Sequence, residues 1–222
     1  GSMRNDCWNK DRRVRIDAVI FDFGGVFTES PYPLFEAVGA EMGAGPGQLS
    51  DIVFGSLAED SNHPYHRLER GEIPLQQARD EILQWGRALY NLEVDIFELF
   101  ARMSPAIHQP LVDRVKGLKR EGYPTAMITN NIREFADGWR SLLPVDQLFD
   151  LVVDSSRVGM RKPNPAIFRL TLDRLGGLEP ERTVFLDDCE GNVKAANSLG
   201  MQTIHVRGEV SRTIAELDEM LG

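Results

Sequence analysis

Thr183-Val184-Phe185-Leu186-Asp187-Asp188 is a short apolar and β-branched run that leads straight into two adjacent aspartates. Such a run reads as a buried strand, so the paired carboxylates fall at its carboxyl edge. Two carboxylates this close repel unless a cation, a proton or a cationic side chain sits between them. A hard divalent ion such as Mg2+ is the usual partner, since it takes oxygen ligands and often only one or two carboxylates. An earlier run, Ala18-Val19-Ile20-Phe21, also ends in an aspartate, Asp22, followed by Gly24-Gly25. Three carboxylates at the ends of buried strands predict an active site rather than a solvated surface.

Outward from these runs, strand and helix patterns alternate. Residues 111–121 have helical spacing and stop at Gly122. A strand is expected over 124–129, a helix over 132–143 capped by Asn131, and a strand over 148–153. Asn164 and Pro165 form an N-cap and first-turn pair for a helix that closes at Gly176. A strand over 182–186, a helix over 190–199 ending at Gly200, a strand over 202–206 and a helix over 211–221 complete the chain. This alternation predicts an α/β fold, a Rossmann-like parallel sheet with helices on both faces.

Residues 31–105 break the alternation. Ile82, Leu83, Trp85 and Leu89, then Ile96, Leu99 and Phe100, have helical spacing, and no convincing strand appears. This segment is read as an α-helical insert after the first strand, joined by proline-bearing linkers at 28–33 and 104–110. The expected units are a core of 14–30 with 106–222 and an insert of 31–105. Residues 1–13 are expected to be a loose tail that begins with a cloning remnant, Gly1-Ser2-Met3.

The chain has 222 residues, 42% of them hydrophobic, enough for a sizeable core. A net charge of -9 without a basic run excludes nucleic acid as the main partner. No apolar stretch reaches the ~18 residues of a membrane span. The two cysteines, Cys7 and Cys189, form no CxxC and point to a reducing compartment, so a cytoplasmic location is expected. The oligomeric state is not legible.

Ligands of an open parallel sheet bind outside the carboxyl ends of its strands. Four such positions carry polar groups: Asp22; Thr129 with Asn130 and Asn131; Lys162; and Asp187 with Asp188. A carboxylate, a hydroxyl, a cation and a metal-binding pair are the parts that phosphoryl transfer needs.

Taken together, Asp22-Phe23-Gly24-Gly25-Val26, Ile128-Thr129-Asn130, Lys162-Pro163-Asn164-Pro165 and Phe185-Leu186-Asp187-Asp188 with Asn192 resemble the four motifs of the haloacid dehalogenase-like (HAD) superfamily, in the family's order. The insert looks like that family's helical cap, and 159–201 is especially similar to the phosphatase domain of soluble epoxide hydrolases. The resemblance implies a Mg2+-dependent phosphatase acting on a small phosphorylated substrate. It makes Asp22 the nucleophile and a metal ligand, and Gly24 a backbone-carbonyl ligand. Thr129 and the Asn130 backbone would hold the phosphoryl group, with Lys162 balancing charge. Asp188 would be the main metal ligand of its pair, Asp187 would bridge to Lys162 or to metal-bound water, and Asn192 would act through such a water.

One position departs from the family. Its phosphatases usually carry a second aspartate two residues after the nucleophile, where this chain has Gly24. That aspartate protonates the leaving group and then activates water, help that typically contributes ~10^2- to 10^4-fold. A substrate with a good leaving group (an acyl phosphate, a sugar 1-phosphate or an aryl phosphate) or slow turnover is therefore expected, in preference to Glu29 of the first hinge substituting as acid or base. Two rivals follow from the same residues. A dehalogenase would use Asp22 against carbon without metal, which the Asp187-Asp188 pair argues against. A binding or regulatory protein that has lost turnover is supported by Gly24 and opposed by Asp22, Lys162 and Asp188 together.

The remaining features read more blandly. Gly43-Ala44-Gly45-Pro46-Gly47 lacks the P-loop ending and reads as a helix–helix connection. His63 and His66, with Tyr65 and Arg67, would face the substrate only if the insert closes over the core. Arg161 reads as a surface charge, Cys189 as a small buried filler, and His108 and His205 as structural. Trp85, Leu89 and Phe100 read as packing within the insert.

Overall fold

The computed structural model describes residues 13–222. Cys7, Trp8 and, apart from Arg13, the expected tail lie outside the described residues. Five strands, β1 (Ala18–Phe21), β2 (Thr125–Thr129), β3 (Leu151–Asp154), β4 (Thr183–Asp187) and β5 (Gln202–His205), form one parallel sheet in the order β3-β2-β1-β4-β5. Successive strand residues face opposite sides. Val19, Phe21, Met127, Val184 and Leu186 pack on one face, while Ile20, Ala126, Ile128 and Phe185 pack on the other. Both faces are covered, which is why these strands are apolar throughout instead of alternating.

The first face is closed by Leu111, Val115 and Leu118 of α6 (Gln109–Arg120) and Leu217 of α12 (Val210–Leu221). The second is closed by Ile167, Phe168 and Leu172 of α10 (Pro165–Arg174) and Ala196 of α11 (Glu190–Ser198). Asn164 caps α10 as expected, its side chain accepting the Ala166 N–H at 3.0 Å.

Two expected elements differ. The strand expected from 148 begins at Leu151, because Val145–Leu148 forms a helical turn, α8, whose Val145 and Leu148 both enter the core. Asn131 caps no α-helix. Its backbone N–H is held by Ser155 Oγ at 2.9 Å, the next residue is extended, and a 3-10 turn at Arg133–Phe135 leads into α7 (Ala136–Leu142). Ser155 opens α9 (Ser155–Val158), directly after β3.

Between β1 and α6 the chain forms α1 (Tyr32–Glu41), α2 (Gln48–Phe54), α3 (Pro64–Glu69), α4 (Leu75–Tyr90) and α5 (Ile96–Ala101). They enclose their own apolar cluster, with Phe35, Val38, Leu49, Ile52, Ile82, Ile96 and Leu99 inside. Gly43–Gly47 joins α1 to α2. Leu89 is not packed there; it is 61% exposed. The two linkers lie side by side, joined by an antiparallel bridge of Thr28 with Ile107 and by the His108 N–H donating to the Phe27 carbonyl at 2.7 Å. Leu68, Ile73 and Ala78 of the insert pack with Ile132 of the sheet unit, fastening the two together. No described helix is long and apolar enough to cross a membrane.

Candidate active site

From β1 the chain winds to β2 and β3 on one side of the sheet, then returns to β4 on the other. Such a reversal opens a crevice at the carboxyl ends of the strands beside it. Phe21 is in register with Leu186, and the Asp22 N–H donates to the Leu186 carbonyl at 2.9 Å. Strand pairing therefore carries Asp22 to the side of Asp187 and Asp188, and the three carboxylates offer ligand atoms all within 4.8 Å of one another.

Lys162, 1% exposed, places its Nζ 2.8 Å from Asp22 Oδ1 and 2.8 Å from Asp187 Oδ2. Its position is set from β2: the Asn130 side chain accepts the Lys162 N–H at 2.8 Å and donates to the Lys162 carbonyl at 2.9 Å. Asp187 is saturated by protein donors. Its Oδ1 accepts the Cys189 N–H at 2.8 Å, and its Oδ2 takes Lys162 and the Asn192 amide at 3.1 Å. Asn192 thus reaches the site through Asp187. Asp22 Oδ1 accepts the Phe23 N–H at 2.7 Å as well as Lys162, whereas its Oδ2 has no protein donor among the described residues. Asp188 takes a hydrogen bond from the Ser30 side chain, so Asp22 Oδ2 and Asp188 are less engaged by protein donors than Asp187 and are the better placed of the three to hold a cation.

The charges explain the need for one. Burial, and then the Asp187 charge, push the Asp22 carboxyl well above the ordinary range against the pull of Lys162. Burial and Asp187 likewise push Asp188 up to about 7. Burial alone would lower the Lys162 ammonium, but Asp187 and Asp22 outweigh it and hold it above its ordinary value. One lysine does not neutralise three buried carboxylates, and a divalent cation fits what is left over. Gly25, at φ +80°, makes room for this: a Cβ there would lie 2.1 Å from Asp188 Oδ2.

Asp22, Gly24, Thr129, Asn130, Lys162, Asp188 and Asn192 all border one cavity of about 600 Å3 between sheet and insert. Its other walls are largely aromatic, with Phe54 and Tyr65 from the insert and Phe23, Phe135 and Trp139 from the sheet unit. The cavity has at its floor a carboxylate group that could hold a cation, with space above it for an organic ligand.

A haloacid dehalogenase-like hydrolase family model matches residues 16–200. The chain belongs to this family. It is 34% identical over 211 residues to mouse "Acyl-CoA dehydrogenase family member 10", covering 92% of this chain and 19% of that protein. Rat "Bifunctional epoxide hydrolase 2" is 37% identical over 134 residues, covering 57% of this chain and 24% of that protein. The chain thus spans about a fifth to a quarter of these mammalian relatives. A "Phosphorylated carbohydrates phosphatase" of Thermotoga maritima is 25% identical over 203 residues, covering 86% of this chain and 84% of that protein. Among solved structures, a Bacteroides thetaiotaomicron HAD family enzyme in complex with magnesium and inorganic phosphate superimposes with a TM-score of 0.60 at 24% identity, covering 87% of this chain and 96% of that one. A dehalogenase does so with 0.63 at 20% identity, covering 93% and 97%. At these identities the structural likeness shows the fold.

Several residues of this HAD-like enzyme differ from expectation. Arg161 is not a surface charge: it is 5% exposed, reaches into the insert toward Glu69 and Asp60, and borders the cavity. Glu69, also 5% exposed, was not singled out, since an acidic residue at a helix end usually faces water. His63 and His66 do not border the cavity. His63 Nε2 meets the Ile52 carbonyl at 3.1 Å, and His66 Nδ1 accepts the Ser61 N–H at 3.0 Å. His205 does have a partner: its Nε2 donates to the Asp188 backbone carbonyl at 2.9 Å and steadies that loop. The Cys189 thiol is pushed up to about 11 by burial and then by Asp187, which keeps it protonated and unreactive.

Proposed function

We propose that this hydrolase is a Mg2+-dependent phosphatase that cleaves small phosphorylated metabolites through an aspartyl-phosphate on Asp22. The observation that carries the reading is the Lys162 ammonium set 2.8 Å from both Asp22 and Asp187, while Asp22 and Asp188 both border the cavity. The relation to a phosphorylated carbohydrates phosphatase supports it. A dehalogenase of this family would work without metal, so the Asp187-Asp188 pair weighs against that alternative despite the similar fold. Asp22, Lys162 and Asp188 standing together weigh against a binding protein without turnover, which Gly24 favours.

Asp22 and Asp188, with the Gly24 carbonyl, would hold Mg2+, which when bound offsets charge on the phosphoryl oxygens. The Phe23 N–H and Lys162 fix the Asp22 carboxylate in place, so that it meets phosphorus without reorganising. The Thr129 hydroxyl and the Asn130 backbone N–H take the equatorial oxygens, with Lys162 supplying positive charge as the P–O bond to the leaving group breaks. Asp187 holds Lys162 and, through Asn192 and the Cys189 N–H, is held itself. The insert acts as a cap that excludes water while the phosphoryl group is carried on Asp22 and readmits it for hydrolysis.

The test is phosphate release from a panel of aryl, acyl, sugar and alkyl phosphates, with Mg2+, with chelator and with Asp22→Asn. Release that needs the metal and vanishes in the variant is expected. Release that persists with chelator or in Asp22→Asn would refute the mechanism, and no release by a folded, Mg2+-binding protein would favour the binding-protein reading.

A further inference from the structure

The chemistry at Gly24 lacks a proton donor, and three carboxyls outside the Asp22 and Asp188 group border the cavity: Glu29, Glu134 and Glu69. Glu29 is exposed. Glu134 is exposed, and its Oε1 is engaged by the Leu75 N–H at 2.8 Å. Glu69 differs from both. It ends α3 on the insert side, is 5% exposed, and its one charged partner among the described residues is Arg161 Nη2 at a loose 3.5 Å.

Resting on the phosphatase reading above, we propose that Glu69 is the general acid and base that replaces the aspartate missing at position 24. As Asp22 attacks phosphorus, the bond to the leaving oxygen breaks and the Glu69 carboxyl gives that oxygen its proton. Water then attacks the aspartyl-phosphate, and the Glu69 carboxylate takes a proton from it. The P–O bond to Asp22 breaks, freeing phosphate and regenerating both carboxyl groups. The net reaction is ester plus water to alcohol plus phosphate.

The surroundings suit the role. Burial raises the Glu69 carboxyl above its ordinary value, while Arg161 and Lys162 pull it down and Asp60 adds to the rise. A rise is the direction that a proton donor needs. Tyr32, Glu69 and Asp188 border the same cavity. Arg161 is a positioning residue: it sits beside Lys162 in the chain, its Nη2 lies 3.5 Å from Glu69 Oε1, its Nε and Nη1 have no hydrogen-bond partner among the described residues, and both Arg161 and Glu69 border the cavity. A cap-borne acid reaches the substrate only when the insert is closed, which couples proton transfer to water exclusion.

Gly24 also supplies the control. A Cβ there meets nothing within 4 Å and its φ is not positive, so Gly24→Asp is sterically permitted. The experiment is kcat/KM for phosphate release across aryl and alkyl phosphates of graded leaving-group pKa, using wild type, Glu69→Gln and Glu69→Gln with Gly24→Asp. Glu69→Gln is expected to lose about 10^2- to 10^4-fold on alkyl phosphates and less than about tenfold on aryl phosphates with acidic phenols, and the second substitution to restore alkyl cleavage. An equal fall across the series marks Glu69 as structural and overturns the proposal, as does no fall at all. If wild type cleaves no ester in the panel, the phosphatase reading fails first and takes the proposal with it.

Discussion

Lys162→Met removes the one cation in contact with Asp22 and Asp187 among the described residues while keeping nearly the same length and volume. The Nζ is 2.8 Å from an oxygen of each, in a site where Lys162 is 1% exposed. Breaking a buried ion pair by removing one partner costs roughly 3–5 kcal/mol, because the other charge is left uncompensated. For a chain of this size that corresponds to a fall in Tm of about 6–20 °C. Thermal unfolding followed by circular dichroism, in chelator and in Mg2+, reads it directly. The fall is expected to be larger in chelator, since bound Mg2+ returns positive charge to the same carboxylates. It is also expected to shrink as the pH is lowered: Asp22 already lies above the ordinary carboxyl range and, without the lysine, takes a proton and sheds the repulsion. A Lys162→Met protein that melts within about 2 °C of wild type in chelator would refute the argument that this lysine holds the carboxylate group together.

Gly25→Ala places a methyl 2.1 Å from Asp188 Oδ2 on a backbone at φ +80°; metal affinity, read by titration calorimetry, is expected to fall at least about tenfold, and unchanged affinity would exclude Asp188 as a ligand. Gly191→Ala puts a Cβ 2.4 Å from the Leu57 carbonyl, pushing the insert off the sheet unit, and is expected to raise KM for phosphate esters. Burial lowers His63 to about 4 and His66 to about 3, so both are neutral in the fold while the unfolded chain protonates them from about 6.5. The stability this gives is complete above about pH 6.5 and is lost as the pH falls toward their folded values, by roughly 1–3 kcal/mol per histidine at about pH 5. Urea unfolding across that range checks it, and His66→Asn is expected to flatten the slope.

The catalytic end of the molecule was legible because its signals are local. Apolar runs fully buried on both sheet faces mark β1 and β4 wherever they lie, and Asp22, Asp187 and Asp188 follow directly from where those runs stop. Asn164 and Pro165 likewise announce α10 within two residues. What was not legible depends on pieces far apart in the chain meeting in space. Arg161 looks like a solvated charge until the insert folds over it, and Glu69 and His66 look like polar residues of an exposed helix until Arg161 and Ser61 reach them. Asn131 has the chemistry of a helix cap, but Ser155 at the end of β3 claims its backbone first. Leu89 fits the helical spacing of the insert, yet it lies on the outer side of α4, where period alone cannot tell a core face from its edge.

The most direct test of the account is to trap the phosphorylated enzyme. Acid quench during turnover of an aryl phosphate in Mg2+, followed by borohydride, reduces an aspartyl-phosphate to homoserine, which peptide mass spectrometry locates by residue. Homoserine at position 22 in wild type, and none anywhere in Asp22→Asn, is the predicted result. Phosphate release with no modified aspartate, or with homoserine at 187 or 188, would contradict the assignment of Asp22 as nucleophile.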